Sequence, residues 1–324
     1  MKHILTLIFL LFLIPQTLPA IKLENRMPES VWQTGIGLKL VPLYSRAFNG
    51  YGEEAPLQNL MLWDRGWFDL VEGELKREEK RLELKLAYGL TEDWVVEAMI
   101  PMVQKIQSSS LKFDAGTPDQ QKVISNLSSE ELNGLGDINI QFGKDLSYST
   151  TWHNRGGFTT RLPTGNKGMR RGISSNSIGE GHGSVGAFIH VTWYPLVHGI
   201  RNCFRIEGKN ELTGERETLE GEKVYYSAGH RADLYYSWSI ERQNVFAGTE
   251  LHHFQQSESK LPTGESNASF LKEINFKFGY GNFSELEQKP LPYPWQIRIG
   301  YTRPFAGQNT PLIHRWELSS TFLF

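Results

Sequence analysis

The sequence predicts an all-β protein, a transmembrane antiparallel up-and-down β-barrel of about twelve strands. Apolar residues recur at every second position in segments of about ten residues, and turn-forming residues separate these segments. A further observation is the end of the chain, where an alternating segment finishes on Phe324. We predict one barrel domain over residues 21–324, because barrels of this length form single units.

The final segment shows the alternation best. Trp316, Leu318 and Phe322 share one face, while Arg315 and Glu317 lie on the other. A terminal aromatic residue after such a run resembles the strand by which outer-membrane barrels are recognised by their insertion machinery, which is therefore an expected partner. The alternative is an edge strand of a soluble β-sandwich.

The same alternation predicts the remaining strands. In residues 81–90, Leu82 and Leu84 oppose Glu83 and Lys85, and leucines at every second position would be scattered around a helix. The predicted strands are residues 32–40, 81–90, 94–102, 136–143, 157–162, 185–193, 204–212, 225–238, 245–253, 271–280, 295–303 and 315–324.

The predicted connections alternate in length. Those at residues 91–93 and 239–244 are short, as expected at a periplasmic rim. Long polar connections, as expected at the extracellular rim, are residues 43–80, 104–133, 163–183, 214–224, 255–270 and 304–314. Residues 144–156 and 283–294 are longer than this rule predicts, and residues 127–132 could form a helical turn.

The first twenty residues predict export. Lys2 and His3 precede an apolar run at residues 4–14, and Pro15 follows before Ala20. This pattern is typical of a secretory signal peptide over residues 1–20, with cleavage expected after Ala20. Together with the barrel it predicts location in the cell outer membrane, with the lipid bilayer as partner. We expect no helical anchor, because no apolar window of about 18 residues follows Ala20.

Composition excludes some partners. The net charge of −2 and the lack of a long basic stretch predict no nucleic-acid partner. The single cysteine, Cys203, rules out an internal disulfide.

Aromatic residues make up 12% of the chain, and many lie at segment ends. This distribution predicts two interfacial girdles. In a soluble protein the same residues would belong to the core. These residues are Trp32, Trp94, Trp193, Tyr194, Trp238, Trp295, Tyr301 and Trp316.

The polar face of the strands predicts the lining of the lumen. Ten positive and nine negative residues nearly cancel, so we expect a narrow or partly self-paired interior rather than a strongly ion-selective pore. The lumen-lining candidates are Lys39, Arg81, Lys85, Arg161, Arg205, Lys209, Arg231, Lys277, Arg298 and Arg315, with Glu83, Glu97, Asp137, Glu207, Glu211, Asp233, Glu250, Glu273, Glu317 and His252.

Two short motifs suggest binding sites, and in both cases the plainer interpretation is favoured. Gly181, Gly183 and Gly186 have the spacing of a dinucleotide-binding loop, but a strand follows where that fold requires a helix, so no cofactor is expected. Glu250 and His252 share a face, but one strand could supply only these two metal ligands. We expect lumen polar residues here and no metal.

A catalytic site in the barrel wall would need a serine and a histidine that meet. Ser227 and His230 lie on opposite faces of the predicted strand, so they cannot form a dyad. We therefore predict no catalytic residues and no enzyme activity.

Four segments together resemble a known family. They are Gly-Leu-Thr-Glu-Asp-Trp at residues 89–94, Gly-Leu-Gly-Asp-Ile at 134–138, Leu-Pro-Thr-Gly-Asn at 162–166 and Gly-Ser-Val-Gly at 183–186. The chain resembles the outer-membrane barrels named as transporters of the meta-pathway of phenol degradation. The resemblance spans roughly residues 89–193 and implies the barrel fold more than the cargo.

The functional hypothesis is passive passage of small solutes, hydrophobic or aromatic ones included, through an outer-membrane channel. Two alternatives stay open. A structural or adhesive barrel would act through its long extracellular loops, and a lipid-modifying enzyme of the outer membrane would act on the surrounding lipid.

Overall fold

The computed structural model describes residues 36–51, 57–59, 72–91, 93–112, 129–149, 151–165, 178–179, 181–194, 200–217, 223–227, 229–242, 244–257, 259–261, 264–266, 268–282, 295–308 and 310–323. The predicted signal peptide at residues 1–20, Trp32 and Phe324 lie outside these ranges. Within them, no helix has the length and apolar character needed to cross a membrane.

The described residues form β-strands. These are β1 (Ile36–Tyr51), β2 (Leu57–Asn59), β3 (Glu72–Gly89), β4 (Trp94–Lys112), β5 (Ser129–Leu135), β6 (Ile138–Tyr148), β7 (Trp152–Leu162), β8 (Ser184–Trp193), β9 (Ile200–Glu211), β10 (Thr213–Glu217), β11 (Lys223–Ser227), β12 (His230–Arg242), β13 (Val245–Gln256), β14 (Ser259–Leu261), β15 (Gly264–Ser266), β16 (Ser269–Gly281), β17 (Trp295–Gln308) and β18 (Thr310–Leu323).

Twelve of these strands close into a barrel. The main sheet has 14 strands, and removing β2 and β5, which pair only with β1 and β4, leaves twelve. The order around the barrel is β1, β3, β4, β6, β7, β8, β9, β12, β13, β16, β17 and β18. β18 then pairs with β1, from Gly37 opposite Leu323 to Tyr51 opposite Thr310. This confirms the predicted antiparallel up-and-down barrel.

The exposure of the two faces of the wall is the reverse of that in a soluble protein, where the apolar face is buried. On β8, Val185, Ile189 and Trp193 are exposed on the outside, and the exposed fraction of Ile189 is 52%. The opposite face of the same strand carries Ser184 and Thr192, and Thr192 is only 3% exposed. The apolar residues therefore face outward and the polar residues face inward, as a strand that crosses a bilayer requires.

Tight turns join strands at one rim, which we call the short-turn rim. Leu90 N donates to Trp94 O at 2.9 Å, and Thr91 Oγ1 accepts from Trp94 N at 3.1 Å. Asn244 takes a left-handed φ of 69° in the turn between β12 and β13. The opposite rim, where long connections were predicted, is called the outer rim below.

Aromatic residues ring the short-turn rim. Trp152 and Trp193, neighbours across β7 and β8, stack with ring centres 5.8 Å apart. Trp94 lies at the start of β4, and Tyr280 and Trp295 are neighbours at the ends of β16 and β17. These positions correspond to one of the two predicted girdles.

The predicted connection at residues 144–156 was wrong. β6 and β7 continue into it, and they are joined by a turn in which Ser149 N donates to Trp152 O at 2.8 Å. The pairing of these strands shifts register between Asp145 and Ser147. Because a bulge adds one residue, it breaks the strict alternation on which the prediction relied.

Three further predictions were also wrong. The predicted helical turn at residues 127–132 overlaps β5. The predicted strand at residues 225–238 is interrupted at Gly229, which has a φ of 73°, and its first part, β11, belongs to a separate four-stranded sheet with β10, β14 and β15. The predicted loop at residues 304–314 lies largely in β17 and β18.

Two prolines lie within that segment. The β17–β18 pairing ends at Thr302 opposite Arg315, so Pro304 and Pro311 lie beyond the last pair between these two strands. A proline lacks a backbone N–H, which is tolerated where one side of the strand has no ladder to break.

We expect the energetic cost of a charge on the outward face to depend on its depth in the bilayer. Ile189→Arg, in the middle of β8, should lower the free energy of unfolding by about 2–4 kcal/mol, because a cation must enter hydrocarbon. Val185→Arg, at the end of the same strand, should cost about 0–1 kcal/mol. Denaturant titration of protein folded into phospholipid vesicles measures both, and equal costs would contradict a β8 that crosses a bilayer.

Candidate functional site

The candidate site is the interior of the barrel. Each charged residue in the predicted lumen set whose side chain the structure describes lies on the face opposite the exposed apolar residues. The side chain of Lys39 lies outside the described part. The structure therefore shows which of these residues contact one another.

The largest group forms one continuous set of polar contacts, which we call the central network. It joins inward faces of β6, β9, β12, β13, β16 and β18. Its members are Gln141, Arg205, Glu207, Lys209, Arg231, Asp233, His252, Glu273 and Arg315. Lys209 Nζ, 4.0 Å from Asp233 Oδ2, joins the members on β9 to those on β12.

The network begins at Glu207 on β9. Arg205 Nη2 donates to Glu207 Oε2 at 2.7 Å, and Lys209 Nζ lies 2.7 Å from Oε1. These three residues can pair along one strand because alternate side chains project from the same face. Arg205 Nη2 also donates to Gln141 Oε1 on β6 at 2.8 Å. The contact therefore reaches across the inner surface, since β6 and β9 are not neighbours in the sheet.

Two further carboxylates lie beside a histidine. Arg231 donates from both Nε and Nη2 to Asp233 on β12, each at 2.8 Å. His252 on β13 has Nε2 3.0 Å from Asp233 Oδ1 and Nδ1 2.9 Å from Glu273 Oε1 on β16. The imidazole ring therefore connects carboxylates on the two strands that flank its own.

The network ends on the other side of β17. Arg315 Nη2 on β18 lies 3.8 Å from Glu273 Oε2 on β16. Buried carboxylates are costly unless cations and hydrogen bonds compensate them. Each of the three carboxylates of the network contacts two or more cationic or imidazole groups.

Aromatic rings support the cations of the network. A cation that lies over an aromatic face is attracted by the electrons of the ring. Arg205 lies 4.3 Å from the ring centre of Phe188 and Arg231 lies 4.8 Å from that of Phe254. The imidazole of His252 stacks on Tyr235 with ring centres 4.1 Å apart. The sequence prediction did not identify these rings as partners.

The other predicted residues form smaller groups. On β3, Glu83 lies between Lys85, whose Nζ is 3.2 Å away, and Arg81, whose Nη1 is 3.7 Å away. On β16, Lys277 Nζ donates to Glu250 Oε2 of β13 at 3.1 Å. These groups are separate from the central network in the contacts described.

Three more predicted residues lie on the inward face. Arg298 on β17 is buried, lies 3.9 Å above the ring of Phe246 and donates from Nε to Gln296 Oε1. Glu97 and Glu317 lie half-buried on the inward face of β4 and β18.

Two of the family-like segments, residues 134–138 and 162–166, meet at the outer rim. Gly165 N donates to the buried Asp137 Oδ1 at 2.9 Å, and Thr164 Oγ1 donates to Gly136 O at 2.9 Å. A Cβ on Gly165 would lie 2.6 Å from Gly179 Cα. The beginning and end of the connection between β7 and β8 are therefore in contact and fixed to the start of β6.

A second cluster lies at the same rim. Arg161 on β7 pairs with Glu211 on β9, and His182 Nε2 lies 3.1 Å from Glu211 Oε2. Arg161 Nε is also 4.0 Å from Asp137 Oδ2. The sequence prediction included Arg161 and Glu211 but not His182, because His182 lies in a connection and outside any alternating segment.

The sequence prediction missed a charged cluster near the short-turn rim. Asp145 Oδ1 accepts from Arg155 Nε at 2.7 Å and lies 3.0 Å from His153 Nε2. All three were assigned to the connection at residues 144–156. The signal was present, since His153, Arg155 and Arg161 share one period-two phase.

The single cysteine also lies on the inward face. Cys203 is buried, with Sγ 2.9 Å from His190 Nε2 and 3.2 Å from Thr192 Oγ1. In the part of the chain that the structure describes, no group of three or more His, Cys, Asp or Glu side chains could hold a metal ion.

Known structures resemble this fold, although no family model and no curated protein matches the sequence. The COG4313 outer membrane channel from Pseudomonas putida F1 has a TM-score of 0.67 and 12% identity, covering 93% of this chain and 100% of that chain. The NanC porin has a TM-score of 0.41 and 12% identity, covering 89% and 98%. The CymD monoaromatic hydrocarbon channel has a TM-score of 0.39 and 10% identity, covering 90% and 88%.

At 12% identity, the likeness to the COG4313 channel shows the fold alone. The chain has the fold of an outer-membrane β-barrel. Its cargo and activity do not follow from that likeness.

We expect the contact between Gly165 and Gly179 to be sensitive to a single methyl group. Gly165→Ala places a Cβ 2.6 Å from Gly179 Cα and 2.8 Å from Asp137 Oδ1, and should cost about 1–3 kcal/mol of unfolding free energy. Gly208→Ala is the control, because nothing lies within 4 Å of its Cβ. Denaturant titration in vesicles compares them, and equal stabilities would show that the outer rim is not tightly packed at this point.

Proposed function

We propose that the chain is an outer-membrane channel that allows small solutes to pass passively, hydrophobic or aromatic ones among them. The observation that carries the proposal is the distribution of side chains across the closed wall. Leucine, isoleucine and aromatic residues are exposed outside, while glutamate, aspartate and arginine lie on the inside. A cylinder with a polar interior and an apolar exterior suits water inside and hydrocarbon outside.

The size of the barrel supports the same proposal. Eight strands leave an interior that side chains fill, and sixteen or more leave an open aqueous channel. Twelve strands lie between these limits. Cross-wall contacts such as Arg205 with Gln141 narrow the interior further. A passage through it would admit small molecules and exclude large ones.

Export and assembly are part of the proposal. Residues 1–20 would direct the chain across the inner membrane and then be removed. The aromatic end of the chain, Phe324, would mark β18 for the barrel-insertion machinery. The resemblance to transporters of the meta-pathway of phenol degradation supports aromatic compounds as one class of cargo.

Conductance tests the proposal directly. Purified protein reconstituted into a planar lipid bilayer should conduct ions in discrete steps, because charged groups and water share the interior. Protein truncated before Thr310 is the control, since it lacks β18 and cannot close on β1. A bilayer that stays electrically silent while the full chain is folded and inserted would overturn the proposal.

An adhesive role has one specific observation in its favour. β10, β11, β14 and β15 form a second sheet from the connections that follow β9 and β13. Ordered loop structure of this kind could present a binding surface. Deleting residues 259–266 distinguishes the two functions, because a passage should keep its conductance whereas an adhesive barrel should lose binding to its target.

A further inference from the structure

The cations and carboxylates of the central network differ in exposure. Its four cations outnumber its three carboxylates, and the carboxylates are the more deeply buried. The exposed side-chain fractions are 24% for Arg205, 21% for Lys209, 29% for Arg231 and 36% for Arg315, against 6% for Glu207, 0% for Asp233 and 7% for Glu273.

Side-chain length explains this difference. Aspartate and glutamate are short and stay close to the wall, while arginine and lysine have long stems that place the charge farther from it. Arg231 and Asp233 illustrate the arrangement, since both project from the inward face of β12 and pair there. The carboxylate is covered by the cation, and the cation forms the surface that meets the lumen.

We propose that the central network makes the passage selective for anions, with small organic carboxylates as the class of solute. The inference rests on the proposed function and names the solutes that it would carry. A count of inward charges predicts little selectivity, because the totals nearly cancel. A passing ion meets the charges that reach the lumen, and these are positive in the network.

The stacked rings keep these charges in place. Arg205 and Arg231 lie on Phe188 and Phe254, and an arginine held on an aromatic face stays charged and oriented. Guanidinium groups bind carboxylates more strongly than neutral donors do. The network therefore favours entry of carboxylates without needing a deep binding pocket.

The cationic surface does not cover the whole interior. In the Lys277–Glu250 pair the carboxylate is the more exposed partner, at 26% against 18%. Glu250 precedes His252 by two residues on β13, so this pair lies on the short-turn side of the network. On β3, by contrast, Arg81 and Lys85 are 30% and 40% exposed against 9% for Glu83, so the cationic surface of the network has a smaller counterpart there.

Ion selectivity tests the inference in the full-length protein. In a planar bilayer with a potassium chloride gradient, the reversal potential should give a chloride-to-potassium permeability ratio above one. Replacing chloride with acetate should keep the anion more permeable than potassium, because acetate presents the carboxylate that the network binds.

The variant is Lys209→Gln combined with Arg315→Gln. After these replacements Glu207 still contacts Arg205, and Glu273 still contacts His252. The barrel should therefore still fold. The permeability ratio should fall toward one. Lys144→Gln is the matched control, because Lys144 lies outside the barrel over the ring of Trp94, and it should keep the original ratio.

The outcomes separate the two proposals. A conducting channel with a ratio at or below one, or a ratio that the double variant does not change, overturns the anion selectivity and leaves the channel intact. A silent bilayer overturns the channel itself and the selectivity with it. Arg315→Gln alone, checked for heat-resistant folding on gels, gives the same comparison if the double variant does not insert.

Discussion

The structure depends on hydrogen bonding of the backbone in a medium that offers no other partner. Inside hydrocarbon, each N–H and C=O group must pair within the protein, and a sheet can satisfy this only when its two edges join. β1 meets this requirement by pairing with β18 while also pairing with β3. Closure fixes the circumference of the barrel, and the circumference limits how far charged side chains must reach across the interior.

The charged interior follows from the same closure. Carboxylates such as Asp233 and Glu273 face inward because the outward face belongs to hydrocarbon, and burial there would cost more than the fold can recover. Once inside, they need cations nearby. Same-strand neighbours supply some of these, as with Arg231 and Asp233, and neighbouring strands supply the rest through His252. The pairing that satisfies the acids also places basic groups at the inner surface.

Sequence periodicity revealed the strands because consecutive residues point to opposite faces of the wall, and these faces select for apolar and polar residues respectively. β8 and β18 followed their predicted faces, since no bulge lies within the described part of either strand. The alternation of apolar and polar residues is misleading where a single residue shifts it to the other face. The bulge after Asp145 hid the inward face of the β6–β7 hairpin, and the left-handed Gly229 separated β11 from β12. Residues 304–314 were predicted as a polar connection, because the sequence does not show that β17 and β18 continue beyond their last shared pair, Thr302 with Arg315.

Periodicity could not predict which side chains contact one another inside the barrel. The sequence placed Arg205 on the inward face, but its contact with Gln141 on β6 depends on the curvature of the wall and on intervening strands. Phe188 lies among polar positions of β8, and only the structure shows that it supports a guanidinium group. Alternation gives the direction of a side chain, while strand order and register determine what it meets.

The single thiol of the chain lies on the inner surface, beside His190, and the chain has no second cysteine with which it could pair. Thiol reagents that modify the folded protein can therefore have only one target. Because that target is buried on the inner surface, a reagent must enter the barrel before it can reach the Cys203 thiol.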